Sequence, residues 1–409
     1  MAGRDTAQQN KILGFNSNII YFLSMVALSS FGLGFIEAGF NLYILSMGMS
    51  PDMLGVILSL KPFAMVLTAI PIGFIAEKIG SKRSLILVNT IVGLAHLLRV
   101  STPNQTVIMA GSILIGILQP GYFIVQMPLI KRYSGENMDR EFAAAMLVVY
   151  AAGALGNLAG GFLPEMVSPL VANATIAFRA VMIIGALLIT AGTIPLTLLK
   201  KDKPADTRKI SLSPYLSGID RNTVKSAIVE FFLGLGFGFL MYFMNIIFVY
   251  YYGSTLEAYG TMSAVMVIPI VLFILFGPKV AEKLGGLRVS IYTRIVGTLT
   301  AALVVLTRNP WIGGAAYILY RAMLGLGNSL WLSFASAIST ERSRTATSTW
   351  LEITFQIGFG IAALYGGHLV GMNAYPALGW ISAGAMALTG LLPYLFYRRE
   401  YLQKADKAA

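Results

Sequence analysis

The sequence predicts an all-α membrane protein: twelve transmembrane helices in two pseudo-symmetric six-helix bundles. Three observations predict it. Only 12% of the 409 residues are charged and 56% are hydrophobic, with mean hydropathy +0.73, whereas an average soluble chain is about 25% charged. Long apolar runs recur from end to end. One long polar interruption near the middle separates two groups of six runs, and the groups resemble one another.

The runs fall at 17–46, 53–77, 84–101, 106–131, 142–166 and 175–199, then at 223–251, 258–281, 288–307, 311–338, 347–370 and 375–398. Short charged or Gly/Pro/Asn clusters break them, and each is long enough to cross an apolar core about 30 Å thick. Twelve spans of about 20–25 residues use about 240–300 residues, which leaves loops and no room for a catalytic domain. The polar stretch from Lys200 to Asn222, with Lys201, Lys203, Arg208 and Lys209, sets the organisation. Residues 1–199 form an N-terminal bundle, 200–222 a cytoplasmic linker and 223–409 a C-terminal bundle.

The formal net charge is +12, but its placement matters more than its sum. Most Lys and Arg lie at the termini and in alternate loops, at 78–83, 131–140, 200–225, 279–288, 342–344 and 398–407, while the opposite loops hold Arg308 and little else. Positive loops stay on the cytoplasmic side, so both termini are expected there, in a cell membrane. Nucleic acid is not an expected partner; membrane lipids and protons are. The polar residues 1–16 and the long first run do not fit a cleaved signal peptide. With no Cys and two His, no disulfide, metal site or cofactor is expected.

The halves repeat at an offset of about 205 residues. Ala76-Glu77-Lys78-Ile79-Gly80 recurs as Ala281-Glu282-Lys283-Leu284-Gly285, Gly48 and Gly55 match Gly253 and Gly260, Gly34 and Asn41 match Gly238 and Asn245, and Gly160-Gly161 matches Gly366-Gly367. Duplicated six-helix units place a cavity between them near mid-membrane.

At this point the chain resembles the major facilitator superfamily over about residues 17–398. The resemblance rests first on Gly73, Glu77, Lys78, Gly80, Lys82 and Arg83, repeated in part as Glu282, Lys283, Gly285 and Arg288. It implies a gating role for these residues: a carboxylate beside cations and a helix N-terminus latches the halves on the inner side. Gly156-Asn157 with Gly160-Gly161 resembles a helix 5 motif of drug–proton antiporters, with Asn157 where that motif has proline. Small residues here also permit close helix packing. An Arg common in helix 4 of the family's exporters is replaced by Gly116 before Gln119, and the repeat places a cation at Arg321 instead.

Charges inside spans are costly and mark function by default. Glu37 and Lys61 flank the turn at Gly48 by similar distances and so reach similar depth; a salt bridge between them is feasible. Glu37 is the candidate proton-coupling residue. Lys61 and Arg321 are candidates for binding an anionic group. Asn41, Tyr43, Gln119, Gln126, Tyr242, Asn245, Asn328, Trp331 and Gln356 are further candidate lining residues. Glu230, Arg294 and Glu352 fall nearer the cytoplasmic side, while His96, Arg99 and His368 fall near outer ends. Pro62, Pro71, Pro120, Pro128 and Pro269 read as kinks. The Gly-rich stretches lack a Gly-Lys-Ser/Thr phosphate loop, so neither ATP-driven transport nor enzymatic activity is expected.

The expected function is secondary active transport of a small organic molecule by a monomer, proton-coupled and of antiporter type, with efflux favoured by the helix 5 resemblance. The alternative is uptake or exchange of an organic anion held by Lys61 and Arg321. A lipid flippase and a non-transporting membrane receptor are the readings from other classes.

Overall fold

In the computed structural model, residues 11–12, 15–134, 138–200, 219–340 and 343–403 are described. Residues 201–218 of the expected linker lie outside them. The first half contains α1 Ser17–Ser46, α2 Pro51–Ile79, α3 Ser81–Ser101, α4 Gln105–Ser134, α5 Met138–Val167 and α6 Ala174–Ala191. The second contains α7 Arg221–Met241, α8 from Leu256–Val265 and Val267–Leu284, α9 Gly286–Leu306, α10 Pro310–Ile338, α11 Arg344–Gly371 and α12 Tyr375–Phe396. Two strands of two residues each, Lys11–Ile12 and Phe15–Asn16, pair antiparallel before α1.

Eleven of these stretches are long and apolar enough to cross a membrane. The remaining helix, α10, is 29 residues long but less apolar, because Arg321 and Asn328 interrupt it.

Local chemistry sets the helix ends. Ser50 accepts from the Met53 N–H at 3.2 Å and Pro51 opens α2 where its missing N–H costs nothing. The four turns at Gly48, Gly80, Gly253 and Gly285 have φ of +80°, +91°, +65° and +87°, a region glycine enters without strain. They form two repeat-related pairs, so the duplication extends to backbone conformation. The turns at Gly80 and Gly285 mark what we term the basic-loop end.

Three expected spans are interrupted. The run 175–199 stops at Ala191 and resumes as Thr193–Thr197, because Pro195 has no N–H for the Ala191 carbonyl. In α8, Pro269 does the same to Val265, and the two segments meet at Met266. The run 223–251 also divides, for a reason given below.

Core packing separates the two ends. One buried cluster runs across both halves, including Tyr43, Ile44, Leu54, Phe243 and Phe248, while the basic-loop end has one cluster per half, around Phe22 and Leu85 in the first and Trp331 and Tyr397 in the second. Away from the basic-loop end the halves meet along two glycine seams. A Cβ on Gly55 of α2 would lie 2.8 Å from the Leu364 carbonyl of α11, beside Gly367, and one on Gly260 of α8 would lie 2.9 Å from the Asn157 carbonyl of α5, beside Gly161. Gly55 and Gly260 are repeat counterparts, as are Gly161 and Gly367. His368 adds a 2.8 Å contact to Asp52 across the first seam. The molecule is thus closed at the end bearing Gly48 and Gly253.

Candidate functional site

The central site begins with α1, where Glu37 and Asn41 are one helical turn apart and therefore share a face. Lys61 comes from α2, His96 and Arg99 from α3, Tyr242 and Asn245 from the α7 region, and Tyr317 and Arg321, again one turn apart, from α10. Together with Asn157, Tyr259 and Ser263 they line a cavity of about 180 Å³ between the halves.

Electrostatically the cavity is unbalanced. Glu37 presents open side-chain surface to it, and the charges of Lys61, Arg321 and Arg99 act on that carboxylate in that order. Among the described residues no ion pair joins Glu37 to Lys61, so the two share the space without closing a direct bridge. Three cations thus surround one carboxylate.

Each arginine is braced on an aromatic ring. Arg99 stands 3.7 Å from the centroid of Phe40 and Arg321 4.7 Å from that of Phe237, contacts that hold a guanidinium while leaving its N–H donors available. Arg99 Nε, Arg321 Nη1 and His96 Nδ1 are buried and without hydrogen-bond partners. Buried polar atoms are nearly always satisfied, and these three, on residues that line the cavity, are exceptions.

The floor of the cavity is made by the asparagine pair. Asn41 Nδ2 donates to Asn245 Oδ1 at 2.9 Å and to the Tyr242 carbonyl at 2.5 Å, while Asn245 Nδ2 donates to the Ala38 carbonyl at 3.0 Å. The Ile246 N–H donates to Asn245 Oδ1 at 2.9 Å. An uninterrupted helix would join Ile246 N–H to Tyr242 C=O; here each group is taken by an asparagine. That exchange divides α7 from the Met244–Ile246 turn and the π-helical Ile247–Tyr251. Tyr242 stacks on Phe359 at 4.3 Å between centroids and gives the cavity an aromatic wall.

Of the residues expected from sequence, Glu37, Asn41, Lys61, Tyr242, Asn245 and Arg321 meet here. The others lie elsewhere. Tyr43 is buried beneath the site, donating to the Val100 carbonyl at 3.0 Å and accepting from Arg179 at 3.2 Å. Gln119 is half-buried on α4 and Gln126 is buried there. Trp331 is enclosed by Phe334, Tyr397 and Arg294 inside the C-terminal half. Asn328 lines a different cavity, and Gln356 donates to Glu352 at 2.7 Å.

At the basic-loop end, Lys78, Arg83, Glu282 and Lys283 are exposed and Arg288 is half-buried. Lys82 donates to the carbonyls of Thr197, at 2.7 Å, and Leu199, which ties α3 to the end of the first half. Gly73 packs near Ile124. The side chain of Glu77 lies outside the described residues.

Sequence reasoning left His96 and Arg99 at outer helix ends, whereas both line the cavity, and it missed Tyr259, Ser263 and Tyr317. Arg99 lies two residues from the end of α3, and its long side chain reaches inward, so residue depth alone misplaces it. A usable signal existed for the second half: the repeat register carries Lys61 onto Met266 and Leu58 onto Ser263, and all four line the cavity.

Two repeated six-helix bundles closed at one end around a charged central cavity have the architecture of an alternating-access carrier. The family model of the Major Facilitator Superfamily matches residues 18–226 and 226–409, and the chain belongs to that family. It is a multi-pass membrane transporter and not an enzyme. Its fold is similar to a point-mutant form of the nucleoside transporter NupG (TM-score 0.77, 14% identity, 92% of this chain and 99% of that one). It is also similar to a bacterial homologue of the human lysosomal transporter Spinster, solved inward-facing and unoccupied (0.68, 15%, 94% and 97%). No curated protein sequence matches the chain.

Proposed function

We propose that this chain is a secondary active transporter of a small organic anion. The observation that carries the reading is the pair of buried, unpartnered guanidinium donors on Arg99 and Arg321 beside the cavity, with His96 Nδ1 likewise without a partner, Lys61 beside them and Glu37 as the opposing carboxylate. An unbalanced buried charge costs several kcal/mol, and a carboxylate or phosphate on the substrate offsets it with charge-assisted bonds. A cavity of about 180 Å³ suits a molecule of about a dozen heavy atoms or fewer, taking about 15–20 Å³ per atom in an interior as dense as an organic crystal.

Positive-inside placement puts the basic-loop end and both termini in the cytoplasm of a cell-membrane protein, so the closed seams face outward and the conformation is inward-facing. The transporting unit is one chain in contact with lipid. Substrate binding between Arg99 and Arg321 draws the halves together, the seams part, and the latch at Glu77 and its repeat closes the inner side.

A second reading, proton-linked efflux of a small organic molecule, is favoured by the unbridged Glu37 facing the cavity. Thermal stability of the purified chain separates the two. Small carboxylates such as benzoate are expected to raise the melting temperature where neutral isosteres such as benzamide do not, and Lys61→Ala, Arg99→Ala and Arg321→Ala each to abolish the rise. Stabilisation by neutral or cationic molecules, lost in Glu37→Gln, supports the efflux reading instead.

A further inference from the structure

The C-terminal half contains a second cavity, of about 280 Å³, between α7, α10 and α11 near the basic-loop end, lined among others by Glu230, Asn328, Arg344, Thr347 and Glu352. Glu230 is 2% exposed, yet its Oε1 has no hydrogen-bond partner, and neither does Asn328 Oδ1.

Arg294 is the obvious counter-ion but does not reach Glu230. It is 1% exposed, its Nη1 donates to the Thr389 carbonyl at 2.9 Å, and its Nε and Nη2 are without partners. Glu230 and Arg294 therefore feel one another's charge across a gap. A buried carboxylate in this position is neutralised most readily by a proton.

The N-terminal half shows that the fold does not require this charge. The registers that pair Asn41 with Asn245 and Gly80 with Gly285 place Val26 opposite Glu230 and Asn89 opposite Arg294. Val26 is apolar and buried. Asn89 accepts from Ser29 at 2.9 Å and donates to the Ile189 carbonyl at 2.8 Å and to Thr193 at 3.0 Å, a neutral and satisfied network. Where one half closes its core with neutral bonds, the other keeps an acid without a salt bridge, its charge held by Trp331 alone among the described hydrogen-bonding side chains, beside a cavity.

We propose that Glu230 is a proton-binding site of the C-terminal half, loaded through this second cavity from the basic-loop end and separate from Glu37. The charged and titratable groups around it are Arg294 from α9, Glu352 and Arg344 from α11, and Tyr397 at the end of α12, whose hydroxyl lies 3.2 Å from Ser226 of α7. Asn328 and Trp331, from α10, do not titrate. Glu352 is exposed and bonded to Gln356, so it shares the cavity without being the enclosed acid. In a carrier of anions, a proton taken up here supplies the compensating charge; that role rests on the anion reading, whereas occupancy of the site does not.

Infrared difference spectra of the purified full chain, between acidic and alkaline buffer and without substrate, test the site directly. A protonated-carboxyl band is expected that disappears in Glu230→Gln, shifts in frequency in Glu230→Asp and persists in Glu37→Gln and Glu352→Gln. A band unchanged in Glu230→Gln, or in Glu230→Asp should the glutamine variant fail to fold, overturns the proposal. So does the absence of that band together with stabilisation by sodium chloride over choline chloride that is lost in Glu230→Gln, which assigns the site to sodium. Because no substrate enters, failure of the anion reading leaves this result unaffected.

Discussion

Asn41 and Asn245 occupy repeat-equivalent positions in the two halves and hydrogen-bond to each other across the seam at 2.9 Å. The pair does two jobs at once: it joins the halves, and it withdraws Tyr242 C=O and Ile246 N–H from their shared helical bond. Asn41→Ala and Asn245→Ala are each expected to lower stability by about 1–2 kcal/mol, since a buried partner is left unsatisfied. The double variant should lose less than the sum, by at least about 0.5 kcal/mol. Denaturation midpoints of the four proteins check this, and strict additivity counts against a direct clasp.

The glycine seams hold the end near Gly48 and Gly253 shut by close approach of backbones. An alanine at Gly55 or Gly260 would set its Cβ within 3 Å of a carbonyl on the facing half, a separation that forces the helices apart. The chain has no Cys, so a single Ser263→Cys reporter in the central cavity gives no background. In that protein, an impermeant maleimide is expected to label from the basic-loop side. Adding Gly55→Ala and Gly260→Ala should shift labelling to the opposite side severalfold, and unchanged sidedness would show that the seams do not set the closed state.

How much of this was legible beforehand depended on what each feature's signal was. Span positions and the duplication follow from hydropathy and from matched glycines such as Gly80 and Gly285, because a membrane fixes helix length and a positive φ fixes residue type. The break in α7 was not legible: Asn41 and Asn245 look equivalent in sequence, and only the packed seam shows that α7 divides while α1 continues. Residue depth brought Glu37, Lys61 and Arg321 to one level, whereas Arg99 acts a turn or more from its own Cα. Trp331 and Asn328 were read as lining the central cavity because they share a helix with Arg321, but they lie about two to three turns further along it, where Asn328 meets a different cavity and Trp331 is enclosed by Phe334 and Tyr397.

Arg99 is the cation that sequence reasoning left at a helix end, and its removal is informative. Charge-assisted hydrogen bonds contribute about 1.5–3 kcal/mol, so Arg99→Ala should weaken binding of a small carboxylate by about ten- to a hundredfold. Arg99→Lys keeps the charge but loses the planar stack on Phe40 and the forked donors, and should recover part of the affinity. Equal affinity in wild type and Arg99→Ala would remove Arg99 from the site.

Asp220, outside the spans, caps α7 and offers a pH-dependent test of how the second half begins. Burial works against its charged form. Hydrogen bonds outweigh that effect and hold the carboxyl below its ordinary 3.8: from the Thr223 backbone and side chain, from Ser343 and from the Asn222 backbone. The Thr223 N–H lies 2.7 Å from Asp220 Oδ1. A carboxyl lowered on folding contributes stability that is present above its unfolded value and is lost as pH falls through the folded one. Asp220→Ala should therefore cost about 1 kcal/mol at neutral pH, and the gap to wild type should narrow as pH drops below 3.8. Asp220→Asn keeps the capping oxygen without the charge, so it should remain close to wild type at neutral pH and show a flatter acid limb. Melting temperatures of the three proteins between neutral and acidic buffer decide it: a gap for Asp220→Ala that does not change with pH would assign the cap to geometry alone.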